Sequence, residues 1–232
     1  MVRFSWKSVI FASKTNVYMK LNARLTCVLM MLTIIATMQA RTPIRQWLVT
    51  MPDSVMPLLT NNNRLDFIDF LDSNMDAVVI NRLDGRSQMK VLTDDYTAID
   101  YTRSCKVSMK LLPITDSTDV LCMVTTLNAP IEDSRIAFYN SQWQPLCADS
   151  LMTTPQVSDF SIDSDNEETR NAWLKVEIPF MVYTLSAETR TLECRLSALD
   201  YLNSDDRKAI ASYVKCETIT FTWGDKGFSL QP

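Results

Sequence analysis

From Met75 onward the sequence changes its period. Apolar residues recur at every second position, and valine, isoleucine, threonine and aromatics replace the helix formers; that is the pattern of strands laid on a sheet. Strands are expected at about 76–82, 86–92, 105–112, 119–127 and 133–139. Leu83-Asp84-Gly85-Arg86 supplies a hairpin turn, with glycine where a positive φ is needed. Residues 113–118 and 128–132 supply two more turns, so the middle of the chain reads as an antiparallel meander. Strands near 173–184 and 189–197 continue it, and a hairpin at 218–223 and 228–230, turned by Gly224-Asp225-Lys226-Gly227, closes the chain.

Helical periodicity is confined to short stretches around this meander. Thr42 is placed to cap a helix with Pro43 in its first turn, and Ile44, Trp47, Leu48 and Met51 follow at spacings of three and four. Pro52 and Pro57 break that helix, and a second is expected from about Asn63, with Leu65, Ile68 and Leu71 on one stripe and Asp66, Asp69 and Ser73 on the wet face. Ser204-Asp205-Asp206 caps a later helix that carries Ala209, Ile210, Tyr213 and Val214 inward. The expected class is therefore α+β: an antiparallel sheet of meander and hairpins, with short N-terminal helices and one helix from the C-terminal half packed on it. Between 148 and 172 the pattern fades, with six acidic residues against one basic and Val157, Phe160 and Ile162 as apolar anchors. That stretch reads as a long loop, or as a hinge between two lobes of one 41–232 domain.

Ahead of this body, Lys20 and Arg24 precede a thirteen-residue apolar run at 25–37 that ends near the small residue Ala40. Spanning a bilayer takes about 20 apolar residues, so the run has the length of an export signal covering 1–40, with Met19 as an alternative start. The expected location is periplasmic or secreted, with no membrane span after cleavage. Residues 1–40 hold five basic and no acidic residues, whereas 41–232 hold 18 basic and 27 acidic, a net charge of −9. An acidic body without a basic run repels phosphate backbones and anionic lipid heads, which argues against nucleic acid as a partner.

Whole classes of chemistry lack their residues. The chain contains no histidine, which removes histidine-activated nucleophiles and the usual zinc and non-haem iron ligand sets. Its three glycines, Gly85, Gly224 and Gly227, cannot build either glycine-rich phosphate loop, so neither a nucleotide nor another cofactor is expected. Ser87-Gln88-Met89-Lys90 matches S-x-x-K and Ser164-Asp165-Asn166 matches S-D-N, but Ser87 lies in a period-two segment and no K-T-G follows. Asp72, Asn74 and Asp76, and again Asp163, Asp165 and Glu167, have the opening spacing of a calcium loop without its glycine or closing glutamate. No metal site is expected, and catalytic residues are not assigned.

Five cysteines remain after position 40: Cys105, Cys122, Cys147, Cys194 and Cys216. An odd, widely spaced set suits buried free thiols, with Cys194 and Cys216 the pair to consider for a single disulfide. Trp143, Trp223 and Phe228 fall near hairpin turns. Rings presented on rigid turns make low-entropy contact area, so these three are the candidate ligand-binding residues, set against the alternative that they pack in the core.

The stretches Met51-Pro52-Asp53-Ser54-Val55-Met56-Pro57-Leu58-Leu59-Thr60, Asn62-Asn63-Arg64-Leu65-Asp66, Asp69-Phe70-Leu71-Asp72-Ser73 and Asn81-Arg82-Leu83-Asp84-Gly85 resemble a Bacteroidales family of exported domains of unknown function. The likeness covers nearly all of the chain after the signal. It implies export in a Gram-negative anaerobe and brings no activity, cofactor or catalytic residue with it. The resulting expectation is a non-enzymatic binding or structural module of the cell envelope with a protein or glycan partner. The alternative is a carboxylate-dependent hydrolase of envelope glycan or polysaccharide, which requires two acids about 5 to 9.5 Å apart in a groove.

Overall fold

A computed structural model describes residues 41–128, 130–162 and 165–231; the expected signal at 1–40, including Met19, lies outside the described residues, as do Asp163 and Ser164. The meander is present and longer than the sequence suggests. Strands β1 (Val78–Ile80), β2 (Arg86–Leu92), β3 (Tyr96–Thr102), β4 (Cys105–Pro113), β5 (Asp119–Asn128), β6 (Glu132–Tyr139) and β7 (Pro145–Leu146) form one antiparallel sheet in chain order. Strand β3 has no counterpart in the sequence reading. Asp94 and Asp95 at its start and Asp100 within it mask the alternation of Thr97 and Ile99, which are buried, with Ala98, which is half-buried.

A second antiparallel sheet, in the order β11-β10-β9-β8, is built from β8 (Val182–Leu185), β9 (Thr191–Arg195), β10 (Thr218–Gly224) and β11 (Gly227–Leu230). Of the strand expected at 173–184 only the last three residues, 182–184, are strand, and β8 continues to Leu185. Trp173 ends a helix instead, and Pro179, which has no N–H to donate, sits in the irregular lead-in.

Among the described residues four α-helices accompany the sheets: α1 (Ile44–Thr50), α2 (Asn61–Asp72), α3 (Glu167–Trp173) and α4 (Ser204–Ala211). Pro43, not Thr42, occupies the cap position of α1, and the Ile44 N–H donates to Asp94 O at 2.8 Å. Helix α2 starts two residues before Asn63 because Thr60 and Asn63 close a capping box, each side chain accepting from the other's backbone N–H at 3.1 Å. The segment read as loop or hinge contains two 3-10 turns, at Ala148–Ser150 and Val157–Phe160, and then α3. Its acidic residues have a local role: the Asn166 side chain accepts from the N–H groups of Glu168 and Thr169, and Glu167 and Glu168 lie in the first turn, where the helix dipole favours negative charge.

Both faces of the larger sheet carry a core, and the smaller sheet covers only part of one of them. On one, Ile44, Trp47, Leu48, Phe67 and Ile68 of α1 and α2 pack with Met89, Ile99, Val107, Met109, Leu121 and Met123. On the other, Leu112, Val120, Cys122, Val124 and Phe138 pack with Tyr183, Leu192, Cys194, Phe221 and Trp223 of the smaller sheet. Residues 120–124 are thus a continuous apolar run because alternate side chains serve opposite cores. The buried residues of α2 are Arg64, Phe67 and Ile68, while Leu65 and Leu71 are half-buried, so the inner stripe is rotated from the expected one. Ile68→Ala should lower stability by about 2 to 5 kcal/mol through lost burial and a cavity. Asp69→Ala, at an exposed position of the same helix, should change it by less than about 0.5 kcal/mol. Urea melts of the two variants check the order.

Candidate functional site

Three of the four stretches that carry the family likeness converge on one carboxylate, Asp53. Arg64 is 1 % exposed, and its guanidinium donates to the carbonyl oxygens of Leu48, Met51 and Leu59 and to Asp53 Oδ1 at 3.1 Å. Arg82 donates to Asp53 Oδ2 at 2.6 Å. Asn81 organises the turn that follows: its Oδ1 accepts from Leu83 and Gly85 N–H, and its Nδ2 donates to Ser87 Oγ. The left-handed residue of this turn is Asp84, at φ 56°, not Gly85. Gly85 serves close approach, since a Cβ there would stand 3.3 Å from the Asn81 amide. These residues hold α1, α2 and the β1–β2 hairpin together, and their bonding capacity is used internally.

The three candidate ring residues are structural as well. Trp143, held at φ 60°, is buried between Trp47 and Tyr139 with ring centroids 5.7 and 5.6 Å away, and its Nε1–H reaches Thr50 Oγ1 at 3.4 Å. Trp223 and Phe228 form an edge-on cross-strand pair at 5.0 Å, both lean on Phe138, and Trp223 Nε1–H donates to Pro113 O at 2.7 Å. All three are buried. The hairpins carry their rings inward, where burying so large an apolar surface is most favourable, and so they present no exposed aromatic surface.

The weaker motifs have equally local explanations. Ser87 is fully buried and donates to Tyr101 O at 2.6 Å while accepting from Asn81. Lys90 is exposed and bonds Gln88 and Asp100, so no Ser-Lys pair exists. Asp72 is held bidentately by Arg45 at 2.6 and 2.9 Å, and the guanidinium lowers its pKa from the ordinary carboxylate value. Asp163 lies outside the described residues and Glu167 opens α3. Among the described residues no three cysteines or acids are grouped to hold a metal ion, and no helix is long and apolar enough to cross a membrane. All five described cysteines are free, including Cys194 and Cys216. Burial pushes the Cys194 thiol up to about 12.

What remains open is the end of one face of the larger sheet, beyond the reach of the smaller sheet. Residues paired across strands share a face, and Gln88, Asp100, Lys106, Thr126 and Ser134 form one such row from β2 to β6. Two β4 lysines four residues apart show where the smaller sheet stops. Lys110 is 1 % exposed, donating to Ala187 O at 2.8 Å with Asp95 at 3.2 Å; Lys106 is exposed. Around the uncovered end lies a depression of about 650 Å³ lined by Arg86, Arg103, Lys106, Asp100 and Gln88, with Leu83 on its lip. A second depression, of about 300 Å³, shares Asp100 and Lys106 and continues past Ser108, Thr126 and Glu132 to β8. The two form a groove. Arg86, Arg103 and Lys106 make no ion pair among the described residues. No run of basic residues announces them, because they are scattered over 86–106 and only strand pairing brings them together.

A separate depression of about 510 Å³ is lined by Asp94, Asp95, Asp119, Arg41 and Arg190. Burial raises the pKa of Asp119, against the opposing pull of Arg41 at 3.0 Å. Two of these three carboxylates come paired with cations: Asp119 with Arg41, and Asp95 with Lys110.

Comparison with known proteins gives a consistent picture. Residues 35–228 match a family model described as a protein of unknown function (DUF3256). The fold is similar to that of a domain of an uncharacterized protein from Porphyromonas gingivalis W83, with a TM-score of 0.73 and 25% identity, over 83% of this chain and 99% of that one. A comparison with curated proteins gives no match.

Proposed function

Since the chain belongs to the DUF3256 family of unknown function, we propose that it is an exported, non-enzymatic binding module of the cell envelope that holds its partner on the uncovered end of one face of the larger sheet. The observation that carries this reading is the groove, in which three cations without acidic partners line the wall of the 650 Å³ depression. Export is supported by the short apolar run ahead of Arg41. Mass spectrometry of the periplasmic protein should find a new N-terminus between about 39 and 42; full-length chain in the inner membrane would overturn export. A photo-crosslinking side chain at Gln88 should capture an envelope component, whereas the same probe at Asp225, on the β10–β11 hairpin tip, should not. Equal capture at both positions, or none at Gln88, would sink the binding role of this face.

A second reading, hydrolysis of envelope glycan or polysaccharide by a carboxylate pair, is favoured by one observation. Asp119 is a largely buried acid that shares a depression with Asp94 and Asp95. Loss of a measurable glycan-cleaving activity in Asp119→Asn would move this reading ahead.

A further inference from the structure

We infer that the groove binds a glycan bearing a single acidic group, with the anion among Arg86, Arg103 and Lys106 and the neutral sugars along Ser108 and Thr126. The inference rests on the proposed binding role of this face and adds the chemistry of what is bound. Of the 18 cations over 41–232, nine are engaged by acids, as Arg45 is by Asp72 and Arg82 by Asp53, and of the other nine, three line this one depression. Arg86, Arg103 and Lys106 repel one another and lack such partners. The one carboxylate in their depression, Asp100, is turned to Lys90 at 3.5 Å. A ligand anion seated there relieves that repulsion.

The other end of the groove has different chemistry. From β2 to β5 the row crosses three strand gaps, about 14 Å, more than one small anion occupies. Beyond Lys106 the lining offers the hydroxyls of Ser108 and Thr126 and the carboxylate of Glu132, groups that exchange hydrogen bonds with sugar hydroxyls. Glu132 is paired with Arg195 at 3.1 Å, so it is the net charge of −9 over 41–232 that repels a second anion. Negative charge is therefore admitted at one end only, which disfavours nucleic acids and polyanionic polymers and fits a neutral chain with one acidic terminus.

Calorimetric titration of the purified protein tests this with a trisaccharide ending in glucuronate, the same trisaccharide ending in glucose, inorganic phosphate and a hexaglutamate peptide. The glucuronate trisaccharide should bind, and more weakly as salt is added. Its affinity should fall about tenfold or more in the Arg86→Glu/Lys106→Glu double variant and in Arg103→Glu, and binding of the glucose counterpart should be weaker by a similar factor. All three positions are exposed, and unchanged thermal melts verify that the variants fold. The inference is overturned if the glucuronate trisaccharide does not bind, if charge reversal leaves its affinity unchanged, or if the glucose counterpart, phosphate or hexaglutamate binds as tightly. Capture from Gln88 reports separately on whether the face binds anything at all.

Discussion

Arg64→Ala should lower the free energy of unfolding by about 3 to 5 kcal/mol, the range seen when one partner of a buried charged network is removed. The loss has three parts. The carbonyl oxygens of Leu48, Met51 and Leu59 lose a charged donor in the interior, Asp53 loses one of its two cations, and the long side chain leaves a void between α1 and α2. Against a domain stability of about 5 to 15 kcal/mol, a change of that size is readable in urea midpoints. Arg64→Lys should recover little of it, because a point charge with a single nitrogen cannot serve acceptors spread around a planar fork. Asp53→Asn should cost much less than Arg64→Ala, since the Asp53 side chain is 41 % exposed and water replaces what it loses. A near-neutral Arg64→Ala would mean that the carbonyls find other donors and that this network does not hold the helices.

Gly227→Ala should cost about 3 to 5 kcal/mol, combining backbone strain with a lost buried hydrogen bond. Gly227 sits at φ +124°, and a Cβ there would fall 2.1 Å from Leu151 O, the oxygen that accepts from Phe228 N–H at 2.7 Å. Backbone meets backbone at this point, so no side chain can rotate away. The β10–β11 hairpin would have to lift from the Leu151 segment and take Phe228 with it. Gly224→Ala at the other end of the same turn is the control: the nearest atom to a new Cβ is 4.0 Å away, and the change should stay within about 1 kcal/mol. Equal melting temperatures for the two variants would show that the hairpin does not depend on that contact.

The fold was legible where one residue's chemistry sufficed and obscure where a partner decided. The period-two segments of β2, β4, β5 and β6 reflect burial alone, and their positions follow from the sequence. Strand β3 is concealed by Asp94 and Asp95 just before it and Asp100 within it, and α3 by acids that serve its first turn. The inner stripe of α2 includes Arg64, a residue that looks solvated until the fold brings to it the carbonyls it bonds. The candidate site was the least legible part. Trp143, Trp223 and Phe228 attract attention as single residues and are absorbed into the cores. Arg86, Arg103 and Lys106 are unremarkable singly, and they matter only through strand register and because, among the described residues, no ion pair engages them, Asp100 beside them being turned to Lys90.

The double use of Asp53 bears on how relatives of this protein are to be sorted. Asp53, Arg64, Asn81 and Arg82, which lie in the most recognisable stretches of the chain, bond to one another or to nearby backbone. Because that bonding is internal, relatives that keep these residues should fold alike whatever they bind. Subgroups should instead be drawn by the charges at 86, 103 and 106. A homologue that retains the Asp53 knot but carries acids at those three places would share this architecture and take a different ligand.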